Sequence, residues 1–465
     1  MEADQSHAKH ARNRQCARVL TGRAIVAAMV AVVFAPTAAG GHDRAPPPGA
    51  PDPRFGASGE VLTDLGLGRA DGTGVVVEED GRIVVGGTTN EFIPGSGLAL
   101  VAYRHDGTLD PTFGTGGIVI TQFGSTVTAS GAALAADHQG RLVQLGVYVD
   151  SVAAKEQFVL VRYRRNGTLD PTFGTGGIVL SDFGAQIKAV SAIAIQHDGR
   201  IVVAGAVFLP TSPSGANAAL ARYESDGALD ASFGTGGHAF TDLGGSFKQQ
   251  FQAVAIQHDG KIVAAGQTTS TGQLSFVVAR YDREGALDPT FASGGIAATS
   301  FGGGSGAGGI AVQRDGKILV VGSGAAAVGD PLGFALARYD SLGALDPTFG
   351  VGGQVISVFP VGSAGATAVR LDRCGRAVLV GDIDSSAIGH GAFAVVRYET
   401  DGSLDPAFGA SGLATTDFGG FLDVAHALAI QPDGKVVVVG GSDLSSDVER
   451  IAVARYEGEE RCGCD

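Results

Sequence analysis

The chain contains no tryptophan, only two methionines and only four cysteines in 465 residues. Without tryptophan it is poorly equipped for sialidase-like sites, sugar-stacking platforms or quinone-cofactor enzymes, which usually rely on that indole. Proline is scarce beside glycine, 17 against 74. With many Val, Ile and Ala, this composition favours short strands joined by tight turns and argues against long helices. Basic residues are outnumbered, 33 Lys and Arg against 47 Asp and Glu, for a formal charge of −14. Such a balance repels a phosphate backbone and offers no basic patch, so neither nucleic acid nor an anionic membrane is an expected partner. Beyond Phe34 no apolar run is long enough to span a bilayer.

The first residues have a layout of their own. A basic stretch ends at Arg23, an apolar run extends from Ala24 to Phe34, and small residues follow at Thr37-Ala38-Ala39-Gly40. This is the pattern of a secretory signal over residues 1–39, cleaved after Ala39. A retained membrane anchor is the alternative, but the run is about half of what a span requires. Residues 40–51, with Ala45-Pro46-Pro47-Pro48-Gly49, read as an extended linker. The expected location is outside the cell or at its surface, the periplasm included. Loss of residues 1–39 removes five basic and two acidic residues and leaves the remainder more anionic.

What dominates the chain is repetition. Asp-Pro-x-Phe-Gly, or a close variant, begins at Asp52, Asp110, Asp170, Asp230, Asp288, Asp346 and Asp405, in steps of 58 to 60 residues. An Asp-Gly-Lys/Arg turn recurs at Asp80, Asp198, Asp259, Asp315 and Asp433, with Gln139-Gly140-Arg141 and Cys374-Gly375-Arg376 in the two other places. Apolar runs end at Tyr103, Tyr163, Tyr223, Tyr281, Tyr339, Tyr398 and Tyr456. Each landmark counts to seven. Between landmarks lie four short runs of strand character, A to D. In the fourth unit these are expected at 253–257, 261–266, 276–281 and 294–301, with A and B joined by the turn His258-Asp259-Gly260.

The runs are apolar on both faces, as in Ile201-Val202-Val203-Ala204 and Val436-Val437-Val438-Val439, so each small sheet has to be covered on both sides. Stacking blades around an axis achieves this. The expected fold is therefore all-β, a seven-bladed β-propeller of four-stranded antiparallel blades over residues 52–456, followed by a Cys-containing tail at 457–465. The first motif supplies only a D strand and the last unit stops after its C strand at Tyr456, so the first strand is expected to complete the last blade. An open solenoid would leave both end units uncapped. A monomer is expected.

The units resemble the bacterial delta-60 repeat, through stretches such as Ala255-Ile256-Gln257-His258-Asp259-Gly260-Lys261-Ile262-Val263-Ala264-Ala265-Gly266 and the Leu-Asp-x-x-Phe-Gly-x-Gly-Gly segment. The resemblance covers Asp52 to Tyr456 and implies a propeller of exported or surface proteins with a strand order like that of NHL propellers. It brings no catalytic residues. Units two and six depart from the pattern at Gln139-Gly140, at Cys374 and at Phe359-Pro360.

Candidate chemistry is sparse. His138, His197 and His258 share one turn position in successive units, but neighbouring blades stand on the order of 10 Å apart and a zinc ligand needs about 2 Å, so a tolerant turn position is the better account. Acidic clusters between C and D, such as Glu224 to Asp230, suggest Ca²⁺, yet Arg104-His105 and Arg164-Arg165 break the series; Asx-turns account for these Asp residues and no cofactor is expected. Arg162, Arg222, Arg280, Arg338 and Arg397 each precede a landmark Tyr and stand eight residues before Asp170, Asp230, Asp288, Asp346 and Asp405. These read as structural ion pairs, since a feature of nearly every unit cannot mark one unique site. Cys374 is expected to form a disulfide with Cys462 or Cys464, fastening the tail. No nucleophile or carboxylate pair is seen to break the repeat symmetry. The expected function is a binding or scaffolding module for a protein or carbohydrate ligand, with hydrolysis of a glycoside or lactone in a central funnel as the alternative.

Overall fold

The computed structural model describes residues 46–66, 68–89, 95–209, 215–245, 249–270, 272–359, 362–385, 390–445 and 448–459. The expected signal at 1–39 and the tail cysteines Cys462 and Cys464 lie outside them. Twenty-eight strands form seven antiparallel four-stranded sheets. Blade one comprises Ala70–Val77, Ile83–Thr89, Gly97–Tyr103 and Ile118–Gln122, strands A to D from the axis outward. Blade two is Val127–Ala136, Leu142–Asp150, Lys155–Tyr163 and Ile178–Ser181; blade three is Gln186–Ile195, Ile201–Phe208, Ala216–Tyr223 and His238–Thr241. Blade four is Gln250–Ile256, Ile262–Ser270, Gln273–Tyr281 and Ile296–Thr299; blade five is Ser305–Val312, Ile318–Gly324, Gly333–Tyr339 and Gln354–Ser357. Blade six is Ala364–Leu371, Ala377–Ser385, His390–Tyr398 and Leu413–Thr416. Blade seven joins Leu422–Ile430, Val436–Ser445 and Val448–Tyr456 to the first strand of the chain, Glu60–Thr63.

That last pairing closes the ring. Glu60 to Thr63 run antiparallel to Ala454 to Ile451. Residues just before it, in the stretch expected as linker, are also seated on the propeller: Gly49 N donates to Glu457 O at 2.7 Å and Gly409 N to Pro48 O at 2.8 Å.

The doubly apolar strands are buried as their pattern requires. Every residue of Ile83–Thr89 and Gly97–Tyr103 is buried. Apolar side chains collect into seven clusters, one in each seam between neighbouring blades. Val84, Leu98 and Leu100 of blade one meet Leu142 and Val159 of blade two, for example. Burial of each such side chain is worth roughly 1.5 to 3 kcal/mol, which places the stability of the ring in its seams.

The landmark tyrosines staple the same seams. Tyr163 shares a hydrogen bond with Thr121 of the preceding blade at 2.7 Å, Tyr281 with Thr241 at 2.5 Å and Tyr456 with Thr416 at 2.6 Å. Tyr103 and Thr63 make the same contact at 2.6 Å across the closure, although Thr63 belongs to the first strand.

In blade four strand D is shorter than expected, Ile296–Thr299, whereas A, B and C extend past the apolar patterns. Strand A begins at Gln250, and B and C run on to Ser270 and back from Gln273. Polar residues there continue the ladder, as where Thr268 faces Ser275, with no apolar period to announce it.

Candidate functional site in the central funnel

The five Arg–Asp candidates come together as pairs within their own blades. Nε of Arg162, Arg222, Arg280, Arg338 and Arg397 donates to Oδ2 of Asp170, Asp230, Asp288, Asp346 and Asp405 at 2.6 to 2.9 Å. Each guanidinium lies over a Phe ring, at 4.5 Å for Arg162 on Phe173 and 4.7 Å for Arg397 on Phe408. Another guanidinium nitrogen reaches a backbone carbonyl of the next blade, Ser225 from Arg162 and Ser341 from Arg280. The basic residue of the A–B turn adds a second cation, as Lys261 does to Asp288 at 2.9 Å. Burial pushes the Asp288 carboxyl upward, but the Thr290 hydroxyl, Lys261, a backbone N–H and Arg280 outweigh it and hold it well below the usual range. The lattice sits at the end of the propeller carrying the A–B turns and ties blades together.

Cys374 is disulfide-bonded, with its partner outside the described residues. The tail approaches it: Glu459 pairs with Arg376 at 2.6 Å and with Arg397 at 3.6 Å. His197 and His258 line a groove of about 830 Å³ between blades three and four, together with Arg200, Arg283 and Glu284. Among the described residues no group of three or more His, Cys, Asp or Glu is placed to hold a metal ion. In the acidic C–D loops the carboxylates bind their own backbone, Asp226 Oδ1 accepting from Ala228 N at 2.9 Å and Asp230 Oδ1 from Ser232 N at 3.0 Å. The glycine run at Gly302 to Gly304 packs on the loop of its own blade, Gly303 N donating to Ala325 O at 2.9 Å.

The feature that sequence reasoning missed lies on the axis. Every A strand has a β-bulge at the same place, and the unpaired residues are Thr73, Ala132, Ser191, Gln252, Gly308, Thr367 and His426. A bulge re-aims the extra side chain, and here all seven line one cavity of about 420 Å³, the central funnel. Six carry a methyl, hydroxyl, amide or hydrogen. Only His426 is ionisable.

His426 is also the centre of a sector that no other seam repeats among the described residues. Its Nε2 lies 3.0 Å from Oδ2 of Asp71, across the seam between blades seven and one. Asp71 stands two residues up its strand from the bulge, at the level of Ser130 and Gly306 in other blades. Glu449 and Asp382 add their charges: burial alone would depress the imidazole, but Asp71, Glu449 and Asp382 outweigh it and the net shift is upward. Burial and neighbouring Asp384 push the Asp382 carboxyl up. Behind Glu449, Arg69 bridges Asp443 at 3.0 Å and Glu449 at 3.1 Å. Gly441 makes the convergence possible, since a Cβ there would stand 2.5 Å from Glu449 Oε1 and 2.8 Å from Asp71 Oδ1. The signal was present in the repeat columns: Asp71 and His426 are the acid and the base at positions filled elsewhere by small or neutral side chains.

Seven blades around a funnel ringed by six neutral bulged residues and one histidine define a closed repeat propeller with a distinctive sector at that histidine. The chain belongs to the β-propeller family described as a domain of unknown function, DUF5122, whose model matches residues 78–113, 140–173, 196–233, 257–291, 313–349, 375–408 and 431–458. No curated protein matches the chain. Among solved structures it is similar to the polysaccharide lyase Uly1, with 10% identity over 83% of this chain and 90% of that one and a TM-score of 0.49. A catalytically inactive virginiamycin B lyase from Staphylococcus aureus, crystallised with quinupristin, shows 12% identity over 85% and 98% of the two chains, with a TM-score of 0.42. A protein of unknown function from Dyadobacter fermentans shows 12% identity over 71% and 95%, with a TM-score of 0.39. Likenesses of this order concern the propeller fold and carry no chemistry over to this chain.

Proposed function

We propose that this is an exported binding propeller that takes a polyhydroxylated ligand, carbohydrate in the first instance, in its central funnel. The observation that carries this reading is the axial ring of bulged residues, whose hydroxyl, amide and imidazole groups face a cavity of about 420 Å³. Hydroxyl-rich ligands need many neutral donors and acceptors in a wet, concave site, and the ring provides them. Export is supported by the layout of residues 1–39 and by the disulfide at Cys374, a bond that persists in oxidising compartments. Membership of the delta-60 repeat group rests on the motifs quoted above.

The test is saturation-transfer NMR against an oligosaccharide panel, using wild type and Ala132→Phe. Ala132 is unpaired in its ladder and lines the funnel, so a phenyl ring there plugs the site without breaking a strand pairing. Binding by wild type that disappears in the variant supports the reading; no binding by either, or equal binding by both, sinks it. The contact between His426 and Asp71 favours a second reading, hydrolysis of a bound glycoside or lactone in the same funnel.

A further inference from the structure

We infer that the charged sector of the funnel cleaves glycosidic bonds, with His426 as the general acid and Asp382 as the carboxylate that activates water; this rests on the hydrolytic reading of the funnel. Asp382 stands opposite Gly365, in the ladder place that Gln267 and Ser323 hold opposite Gln250 and Gly306, and those two residues line the cavity. Three observations lead there. His426 lines the cavity, and its Nε2 is taken by Asp71 at 3.0 Å, which fixes the ring and leaves Nδ1 as the nitrogen toward the cavity. The His426 side chain is 35% exposed, so solvent and ligand can reach the ring. A base-orienting carboxylate on one nitrogen and an open cavity on the other is the arrangement a proton-transfer group needs.

The second observation is electrostatic, and it chooses between the two bonds. Asp71, Asp382, Asp384, Asp443 and Glu449 gather in this sector against Arg69 and the imidazole. Arg450 is engaged with Asp64 at 3.2 Å. Surplus negative charge stabilises a transition state that develops positive charge and disfavours one that develops an oxyanion. Glycoside hydrolysis passes through an oxocarbenium-like cation, whereas lactone hydrolysis builds negative charge on oxygen. The field therefore selects the glycoside.

The third is that the same carboxylates, Asp71, Glu449 and Asp382, favour the protonated imidazole, which suits an acid rather than a base. The step then balances. Nδ1–H protonates the glycosidic oxygen as the anomeric C–O bond breaks and its electron pair goes to that oxygen. Water adds to the anomeric carbon and gives its proton to Asp382. Exchange with solvent returns the proton to His426 and removes it from Asp382. The neutral ring residues of the other blades, Ser191, Gln252 and Thr367 among them, hold the sugar hydroxyls.

The experiment offers wild type, His426→Ala, Asp71→Asn and Asp382→Asn three kinds of probe: oligosaccharides, p-nitrophenyl glycosides of the same sugars, and δ-gluconolactone. A general acid matters most for a poor leaving group. His426→Ala should therefore lose about 10²- to 10⁴-fold on oligosaccharide and much less on the aryl glycoside, whose phenolate leaves unaided. Asp382→Asn should lose activity on both. The basic limb of kcat should inflect above 6.5, the ordinary histidine value, and move down in Asp71→Asn. Equal losses on both glycosides in His426→Ala would reduce the residue to a structural role and overturn the inference. Turnover of the lactone alone would overturn the choice of bond and leave the hydrolytic reading standing. Sugar bound and never cleaved would overturn both and leave the binding function.

Discussion

Arg455 and Asp52 stand 403 positions apart in the chain, and Nε of the one donates to Oδ2 of the other at 2.9 Å. Arg455 also lies over Phe55 at 4.5 Å, as every other lattice arginine lies over its own phenylalanine. The ion pair that six residues of loop bring together within a blade is here assembled from opposite ends of the propeller. Closure of the ring thus reproduces a complete repeat unit, not merely a fourth strand.

Asp52→Ala should consequently cost as much as Asp346→Ala. Each leaves a buried guanidinium without its carboxylate, Arg455 or Arg338, both of them 5% exposed or less as whole residues. The expected loss is about 3 to 5 kcal/mol in either case. Denaturant unfolding of the two variants side by side checks it, and a much smaller loss at Asp52 would mean the closure is looser than the blades it joins.

The tyrosine staples give a smaller effect. Tyr103→Phe removes the phenol that meets Thr63 at 2.6 Å and leaves a buried hydroxyl unsatisfied, for an expected loss of about 1 to 3 kcal/mol. The double variant Tyr103→Phe, Thr63→Val should recover part of that loss, because both polar groups are then gone. A double-mutant cycle by thermal unfolding measures it.

Stability should fall away on both sides of neutral pH for different reasons. The lattice carboxylates Asp52, Asp170, Asp230 and Asp346 have folded values below the ordinary 3.8, burial being outweighed by hydroxyl, backbone and guanidinium partners. Their contribution is present above 3.8 and is lost as pH falls through the folded values. Burial raises the staple phenols, with Tyr339 pushed up to about 12 from 10.0, so their contribution is present below 10 and is lost as pH climbs toward 12. Melting temperature against pH should show a steep acid edge below about pH 4 and an alkaline edge above about pH 10.

His426 should leave its own mark between those edges. Its folded value lies above the ordinary 6.5, raised against burial by Asp71, Glu449 and Asp382, so its contribution is present below 6.5 and disappears as pH rises through the folded value. His426→Gln should erase that part of the pH dependence. Melting curves of wild type and variant that stay parallel from pH 5 to 9 would show that the imidazole does not hold the seam by charge.

Oxidised protein should contain no free thiol at Cys374. Mass analysis after alkylation is expected to find it joined to Cys462 or Cys464, consistent with Glu459 reaching Arg376 two residues along the chain from Cys374. Cys374→Ser should lower stability by about 2 to 4 kcal/mol.

Chain order alone determined the fold, because strands apolar on both faces, repeated seven times and incomplete at both ends, can bury themselves only as a closed ring. Arg338 and Asp346 were legible too, since eight residues of spacing recur in five units and a repeated local pair needs no knowledge of the whole. Strand limits such as Gln250 and Ser270 were not, because polar residues continue those ladders without a period to betray them. Only the tertiary structure could bring His426 to Asp71. They lie 355 positions apart by the numbering, one on the last inner strand and one on the first, and nothing local distinguishes a bulged residue that points to the axis from one that points into a seam. The ring decides that, by turning seven unremarkable bulges toward a common centre and setting the two ends of the chain side by side.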